Sequence, residues 1–385
     1  FFYPNLGGVE LHIYQLAQRL LERGHGVVVL THHYGGRRGV RVMSGGLKVY
    51  YAPREPIYNQ SSLPGLLGLS ALVRHLLVRE QIGVVHVHTA FSSLAHEACL
   101  HARTLGYPVV FTDHSLFGFR DVSSVLTNKL LRFTLADVSA CVCVSHTSKE
   151  NTVLRAAVDP LRVSVVPNAV DAARFAPDPG SRPGGGRVRV VVMSRLAYRK
   201  GVDLLVSVIP RACKEMPHVD FVVGGDGPRR EVIEAAVRAE GLGHRVQFLG
   251  AVPFDGVRAV LASGHVFLNT SLTESFCMAV LEAAAAGMLV VATAVGGVPE
   301  VLPPDVAYLA PPEPGPIVEA LKDAVAAAPD ADPWQVHRRV AAMYSWADVA
   351  ARVEAVYYEA AAREDKGGLL ARLQRLHRCG RWFGK

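Results

Sequence analysis

Short apolar runs alternate with longer stretches of helical periodicity along the chain. The runs at residues 27–30, 109–111 and 140–144 are continuously apolar instead of alternating with polar residues. Such runs are typical of parallel strands that are buried on both faces of a sheet. Residues 11–23 have the apolar spacing of a helix and end before Gly24, which suits a helix C-terminus. The pattern therefore predicts an α/β fold.

A stretch rich in proline and glycine, residues 172–187, interrupts this pattern. Apolar runs resume at residues 188–193 and continue beyond them. We predict an N-terminal Rossmann-like domain, a linker, a second Rossmann-like domain, and a C-terminal helix with a basic tail. The predicted bounds are 1–171, 172–187, 188–345 and 346–385. The parallel sheets of two such domains are expected to face a central cleft.

The composition agrees with a folded protein that has a large core. Half of the 385 residues are hydrophobic and 19% are charged, which excludes a chain that is disordered throughout. The six cysteines do not form a disulfide framework, and Cys141 and Cys143 share one face of a predicted strand. We interpret both as core residues and not as metal ligands, which favours a reducing compartment.

The net charge of +7 is too small for this chain length to indicate a nucleic-acid partner. Much of the excess lies in residues 363–385, where basic residues outnumber acidic ones and leucine, tryptophan and phenylalanine are interspersed. Such a tail suits an anionic membrane surface. The sequon at Asn269 lies beside the strongest candidate motif, where a glycan would obstruct function, and this favours the cytosolic side.

Several candidate residues lie at the ends of predicted strands. Gly7 and Gly8 precede the first helix and allow a phosphate to approach its positive end, although an ordinary tight turn is the alternative. Arg195 and Lys200 follow the first strand of the second domain. Two fixed cations there are suited to neutralise a diphosphate leaving group without a metal. A solvated basic turn is the alternative.

The strongest signal is a pair of glutamates, Glu274 and Glu282, separated by seven mostly apolar residues. If both were helical, about 12 Å of helix axis would separate them. The carboxyls of a glycosidase acid/base pair must lie within roughly 5–10 Å of each other. We therefore expect the two glutamates to hold opposite ends of one extended ligand. The alternative is a surface glutamate at each end of a core helix.

Three histidines lie in or after predicted strands. His114 follows the strand at 109–113, where it is suited to stabilise charge or to hold a sugar hydroxyl, although a structural role is the alternative. His86 and His88 alternate along another strand without an acidic partner. We interpret both as core residues, and the sequence predicts no metal site.

The order and spacing of Gly8, Arg195, Lys200 and the two glutamates resemble those of retaining glycosyltransferases of the GT-B class, family four. Residues 111–119, 121–131 and 148–156 resemble in particular the members that start GPI-anchor synthesis. The resemblance implies a GT-B fold and transfer of N-acetylglucosamine from UDP-GlcNAc to phosphatidylinositol. It also implies the cytosolic face of the endoplasmic reticulum membrane, a complex of several subunits, and no cofactor or metal.

The resemblance further implies roles for residues of this chain. Gly8 approaches the diphosphate, Arg195 and Lys200 neutralise it, Glu274 holds sugar hydroxyls and Glu282 binds the ribose. His114 lines the sugar site and steadies the developing oxocarbenium ion. The further donor-binding residues are Gly225, Leu249, Phe276, Cys277 and Met278. The acceptor-side residues are Glu10, Tyr58 and Asn59. Retention is explained by same-face attack, with the departing phosphate taking the acceptor's proton, so neither glutamate need be a nucleophile.

The sequence departs from the family in two respects. Ser275 and Cys277 replace glycines that commonly flank the phenylalanine between them, which narrows the pocket. The membrane span that the subfamily has near its C-terminus is absent, so we expect this chain to be a fragment of a longer protein.

Three other functions remain open at the sequence level. A GDP-mannose-dependent transferase acting on an inositol lipid differs only in base and sugar selectivity, which the loops at 225–228 and 248–250 do not reveal. A nucleotide-sugar epimerase needs further acid/base residues, and the glutamate spacing argues against it. A scaffold without activity would be expected to lose Arg195, Lys200 or Glu274, and all three are present.

Overall fold

The computed structural model describes residues 2–5, 7–57, 62, 65–116, 118 and 122–363, except the side chains of residues 66, 67, 122 and 123. It divides into two units. Unit 1 comprises the chain up to residue 168 and the segment from residue 346 onward, and unit 2 comprises residues 169–345. Tyr58, Asn59 and the basic tail beyond residue 363 lie outside the described residues.

Unit 1 contains two small sheets covered by helices. The elements are α1 (Gly8–Glu22), β1 (Val28–His32), β2 (Gly39–Val42), β3 (Lys48–Ala52), α2 (Leu66–Arg79), β4 (Val85–His88), α3 (Ser93–Thr104), β5 (Val109–Asp113), α4 (Val122–Leu135), β6 (Ala140–Cys143), α5 (His146–Ala156), β7 (Val163–Val165) and α12 (Trp346–Ala362). Strands β4, β5, β6 and β7 form a parallel sheet in that order. The other sheet has the order β1-β3-β2, in which β1 is parallel and β2 antiparallel to β3.

Unit 2 is built on a single six-stranded parallel sheet. The elements are β8 (Val188–Met193), α6 (Val202–Glu215), β9 (Val219–Gly224), α7 (Arg230–Ala239), β10 (Val246–Gly250), α8 (Phe254–Ala262), β11 (Val266–Asn269), α9 (Met278–Ala285), β12 (Leu289–Thr293), β13 (Ala307–Ala310), α10 (Pro314–Ala327) and α11 (Pro333–Met343). The strand order is β10-β9-β8-β11-β12-β13. This is the doubly wound order of a Rossmann fold, in which ligands bind where the order reverses.

The apolar runs form the cores of both units, as predicted. The residues of β8, β9 and β11 that point into unit 2 are almost fully buried, because helices cover both faces of the sheet. In unit 1, Cys141 and Cys143 are buried in the core beside β5, which confirms their interpretation as core residues. The cysteines among the described residues are all free.

The division into two units differs from the predicted bounds in two places. Residues 172–187 are part of unit 2 and do not form a separate linker. Two arginines of this segment bond to the rest of the unit. Arg174 Nη2 donates to Asp255 Oδ1 at 2.9 Å, and Arg182 Nη2 donates to the Gly287 carbonyl at 2.8 Å. Helix α12 is part of unit 1, where Arg352 Nη2 donates to the Val165 carbonyl at 2.6 Å. None of the helices in the described residues combines the length and apolar character needed to cross a membrane.

Candidate functional site

The reversal of strand order in unit 2 brings two candidate loops together. Strands β8 and β11 are neighbours and run parallel, so the loops that follow them meet at one edge of the sheet. The loop after β8 carries Arg195 and Lys200, and the loop after β11 carries Glu274. The strand order therefore places residues that are about 70 positions apart in sequence at the carboxyl edge of the same sheet.

Lys200 and Glu274 form an ion pair at this edge, between Nζ and Oε1. Ser271 Oγ donates to the same carboxylate oxygen at 2.8 Å. Burial is the largest effect on Lys200 and lowers its pKa, but the charge of Glu274 and the hydrogen bond to it outweigh burial and raise the pKa above its usual value. Lys200 therefore remains a cation, held in place by the glutamate that the resemblance assigns to the sugar.

Hydrogen bonds between the two loops fix this arrangement. Thr270 Oγ1 donates to the carbonyls of Lys200 and Gly201, each at 3.1 Å, and the Leu272 amide donates to the Arg199 carbonyl at 2.9 Å. Gly201 has φ +69°, and a Cβ at this position would lie 1.7 Å from the Thr270 carbonyl oxygen. Only glycine permits so close an approach of the two loops.

The turn after β9 packs against the loop after β8. Gly225 has φ +127°, and a Cβ there would lie 1.8 Å from the Ser194 carbonyl oxygen. Its amide donates to the Gly250 carbonyl at 2.7 Å, next to Leu249, which is partly exposed on β10. Arg195 is exposed at the same edge. Of these three predicted donor-binding residues, Arg195 lies in a loop at the reversal of strand order, Gly225 follows the neighbouring strand β9, and Leu249 lies on the edge strand β10.

The segment between the two glutamates differs from a continuous helix. Glu274 lies in the loop before α9 and only Glu282 lies on that helix, so the separation calculated for two helical glutamates does not apply. Phe276 is buried and packs edge-to-face against Tyr344, with ring centroids 5.8 Å apart. Cys277 is buried and accepts a hydrogen bond from Asn269 Nδ2 at 3.4 Å.

These contacts refine the donor-binding prediction. Because the side chains of Phe276 and Cys277 face the core, the groups they can offer a ligand are backbone amides near the start of α9, which begins at Met278. Glu282 differs from Phe276 and Cys277, because its side chain is only half-buried and carries a carboxyl group. Desolvation raises the pKa of its carboxyl to about 7, and the positive charge of Arg174 only partly opposes this effect.

Gly8 and Glu10, the two candidate residues on α1 of unit 1, differ in what surrounds them. Gly8 is the first residue of α1, and a Cβ at this position would meet nothing within 4 Å, so the helix terminus is open to a ligand. The buried carboxylate of Glu10 accepts a hydrogen bond from Asn5 Nδ2 at 2.8 Å. This contact gives Glu10 a structural role beside its predicted part in acceptor binding.

His114 belongs to a cluster of histidines that the sequence pattern did not reveal. His88 Nδ1 lies 3.1 Å from His114 Nε2, and His12 Nδ1 lies 2.9 Å from Asn168 Oδ1. The ring centroids of His12 and His114 are 4.7 Å apart. Burial lowers the pKa of His12 to about 4 and that of His114 well below its usual value, so both rings are neutral.

His86 lies beside this cluster but is fully engaged by its neighbours. Its Nδ1 lies 2.6 Å from the Tyr357 hydroxyl and its Nε2 2.6 Å from Thr112 Oγ1. Hydroxyls thus engage both ring nitrogens of His86, although the residue is only half-buried, whereas His88 contacts the predicted site residue His114. The missed member, His12, lies four residues after Gly8 on α1, a spacing that places both on one side of the helix.

The fold and the edge of the unit 2 sheet define a GT-B glycosyltransferase. Solved structures with this fold include sucrose-phosphate synthase from Thermosynechococcus elongatus, with a TM-score of 0.75 and 20% identity over 92% of this chain and 93% of the other. Another is Anabaena HepE in complex with UDP, with a TM-score of 0.73 and 16% identity over 93% and 98%. Residues 187–327 match the family model described as glycosyl transferases group 1.

Residues 32–121 match the model described as PIGA (GPI anchor biosynthesis). The chain is 55% identical to a phosphatidylinositol N-acetylglucosaminyltransferase subunit of Arabidopsis thaliana, over all of this chain and 86% of the relative. It is 51% identical to the Homo sapiens subunit of the same name, over 93% and 74%. The chain belongs to the PIGA family of phosphatidylinositol N-acetylglucosaminyltransferase subunits, and the predicted resemblance is confirmed.

Proposed function

We propose that this chain transfers N-acetylglucosamine from UDP-GlcNAc to phosphatidylinositol with retention of configuration, the first step of GPI-anchor synthesis. The observation that carries the proposal is the Lys200–Glu274 pair at the reversal of strand order in unit 2, in a chain 55% identical to a named subunit of that transferase. The pair joins a cation suited to a diphosphate to a carboxylate suited to sugar hydroxyls.

In the proposed reaction, the bond between the sugar C1 and the diphosphate oxygen breaks while a bond forms from C1 to an inositol oxygen. Lys200 and Arg195 stabilise the charge that develops on the departing UDP, so no metal is required at the diphosphate. The proton of the inositol hydroxyl passes to the departing phosphate oxygen. Glu274 holds the donor sugar and Glu282 the ribose, and neither forms a covalent intermediate.

The neutral imidazole of His114 is a hydrogen-bonding group without a charge, which fits the role of holding a sugar hydroxyl. Gly8, at the open start of α1, fits a role beside the diphosphate. We place the reaction on the cytosolic face of the endoplasmic reticulum membrane, within a complex of several subunits. The names of the relatives, which describe each as one subunit of a transferase, support an assembly of this kind.

The test is a transfer assay in membranes from cells that lack their own copy of this subunit but express this chain. Labelled UDP-GlcNAc is supplied, and label is followed into lipid that is sensitive to a phosphatidylinositol-specific phospholipase. Lys200→Ala is expected to lower the rate about a hundredfold, since removing a preorganised charge commonly costs ~3 kcal/mol of transition-state stabilisation. Lys214→Ala, which removes an exposed lysine of α6, is the matched control.

Two results would overturn the proposal. One is label that enters lipid from GDP-mannose but not from UDP-GlcNAc, which would assign the chain to the mannosyl alternative. The other is an equal rate of transfer by the Lys200→Ala and Lys214→Ala proteins at matched abundance. This result would mean that Lys200 is only a surface charge and does not stabilise the departing diphosphate.

A further inference from the structure

Three histidines of unit 1 converge at the carboxyl ends of two parallel strands. His88 is the last residue of β4, His114 follows β5, and His12 lies in the second turn of α1. One ring nitrogen from each lies within 4.8 Å of the other two. We call these three residues the histidine triad. Strand pairing fixes two of the rings, because β4 and β5 are adjacent.

The separation of His88 and His114 within the triad resembles that of two nitrogen ligands around one metal ion. Two imidazole nitrogens bound tetrahedrally to zinc at about 2.0–2.1 Å lie roughly 3.3 Å apart. His88 Nδ1 and His114 Nε2 are 3.1 Å apart, close to this separation. Three histidines suffice for such a site, since zinc sites with three protein ligands keep the fourth position for water or substrate.

The orientation of His12 also suits a metal ligand. Asn168 Oδ1 can only accept a hydrogen bond, so His12 Nδ1 carries the proton and Nε2 carries the lone pair. A ligating histidine typically donates its other ring N–H to an oxygen in this way. His86 is not part of the triad, because hydroxyls engage both of its ring nitrogens.

We propose that the histidine triad binds a divalent transition metal that prefers imidazole ligands, with Zn²⁺ as the type case, and that the bound metal inhibits transfer. In the metal-free protein one hydrogen lies between His88 and His114. On binding, this hydrogen moves to the outer nitrogen of its own ring, so that both lone pairs face the ion. Each ring keeps one hydrogen, and no net proton is released.

The inhibition rests on the proposed function, in which His114 holds the donor sugar. A metal ion bound to His114 fixes the orientation of its ring and places a positive charge beside the proposed sugar site. Metal and donor therefore compete for His114. The metal-binding part of the proposal does not depend on activity and is measured separately.

Binding is measured with the whole chain and with Zn²⁺ or Co²⁺ alone. After dialysis, one equivalent of metal per chain is expected, and Co²⁺ should give the intense visible absorption of a tetrahedral site. His12→Gln and His88→Asn are expected to abolish this uptake. His75→Ala, which removes an exposed histidine of α2, is the control and should bind as the unmodified protein does.

A further variant covers the case in which the triad substitutions prevent folding. Asn168→Ala leaves all three ligands in place and removes only the acceptor that orients His12. Loss of such an outer contact typically weakens metal binding about 10–100-fold. No metal uptake, or equal uptake by the His88→Asn, Asn168→Ala and His75→Ala proteins, would overturn the proposed site.

The transfer assay distinguishes the two parts of the proposal. Zn²⁺ is expected to inhibit transfer in a manner that a chelator reverses and that excess UDP-GlcNAc relieves. The His75→Ala protein should be inhibited to the same extent as the unmodified protein. Metal bound by the triad without any effect on transfer would establish the site but overturn the inhibition and the role of His114 at the sugar. Loss of transfer activity under all conditions, with metal still bound, would count against the proposed function alone.

Discussion

The two glutamates of the candidate motif, Glu274 and Glu282, occupy different electrostatic environments. The carboxylate of Glu274 is held by Lys200 and Ser271, so it is paired with a cation and a hydroxyl. Desolvation dominates at Glu282, and the charge of Arg174 does not compensate for it. The sequence predicted that the two residues serve different ends of a ligand, but it gave no indication that burial would perturb the pKa of Glu282.

Substitution of Glu282 tests this environment through the pH dependence of stability. The carboxyl has a pKa of about 7 in the folded protein, against a usual value of 4.5. Between these values the folded state binds more protons than the unfolded state, so the free energy of unfolding falls as pH rises. Glu282→Gln should remove this fall and unfold at higher urea concentration than the unmodified protein at about pH 8, but not at about pH 5.

The expected gain at high pH is at most about 3 kcal/mol, from ~1.4 kcal/mol for each pH unit that separates the two pKa values. Glu240→Gln, at an exposed position after α7, is the control and should leave the pH profile unchanged. If the free energy of unfolding depends on pH in the same way for Glu282→Gln and the unmodified protein, the Glu282 carboxyl titrates as it does in water.

At the scale of elements, apolar runs predicted β1, β5, β6 and β8, whose residues are buried or half-buried, whereas β2 is exposed at all four positions and has no such run. The pairing of Lys200 with Glu274 was not predicted, because the sequence does not show that β8 and β11, which precede their loops, are neighbours in the sheet. The histidine triad was not predicted because His12 lies on an amphipathic helix. A histidine at such a position does not indicate a site unless the positions of β4 and β5 are known. Phe276 and Cys277 were assigned to donor binding because the sequence does not reveal that their side chains face the core.

The turn that begins α6 tests how strongly two loops depend on one glycine. Gly201→Ala adds a Cβ that would overlap the Thr270 carbonyl and also requires an unfavourable positive φ. Gly241→Ala is the matched control, because Gly241 has φ +68° and open space around it. A left-handed residue other than glycine costs roughly 1–2 kcal/mol, which both variants should lose in unfolding free energy.

Gly201→Ala should lose more than the control, together with most transfer activity, because displacement of Thr270 moves the carbonyl contacts that position Lys200. The measurement is urea unfolding combined with the membrane transfer assay. Equal stability losses and equal activities in the two variants would indicate that the loops adjust to the added methyl group at no cost.

At the scale of the whole chain, the two units differ in how they are encoded. Unit 2 is one continuous segment, whereas unit 1 needs residues from both ends of the described chain. Helix α12 packs against α1 in unit 1, Trp346 contacts His12 with ring centroids 5.3 Å apart, and Tyr357 bonds His86. The sequence predicted α12 as a helix but not its place, because amphipathic spacing does not specify which core an apolar face joins.

This difference predicts unequal responses to truncation. Residues 169–345 contain a complete six-stranded sheet with its own buried core, so this segment is expected to unfold cooperatively when expressed alone. A chain of residues 1–345 should keep the unfolding transition of unit 2 but lose the protection of β4 and β5 against hydrogen exchange, since α12 is removed. A chain of residues 1–363 is the control and should protect both units. Protection of β4 and β5 in the 1–345 chain, equal to that in the control, would show that unit 1 is stable without its returning helix.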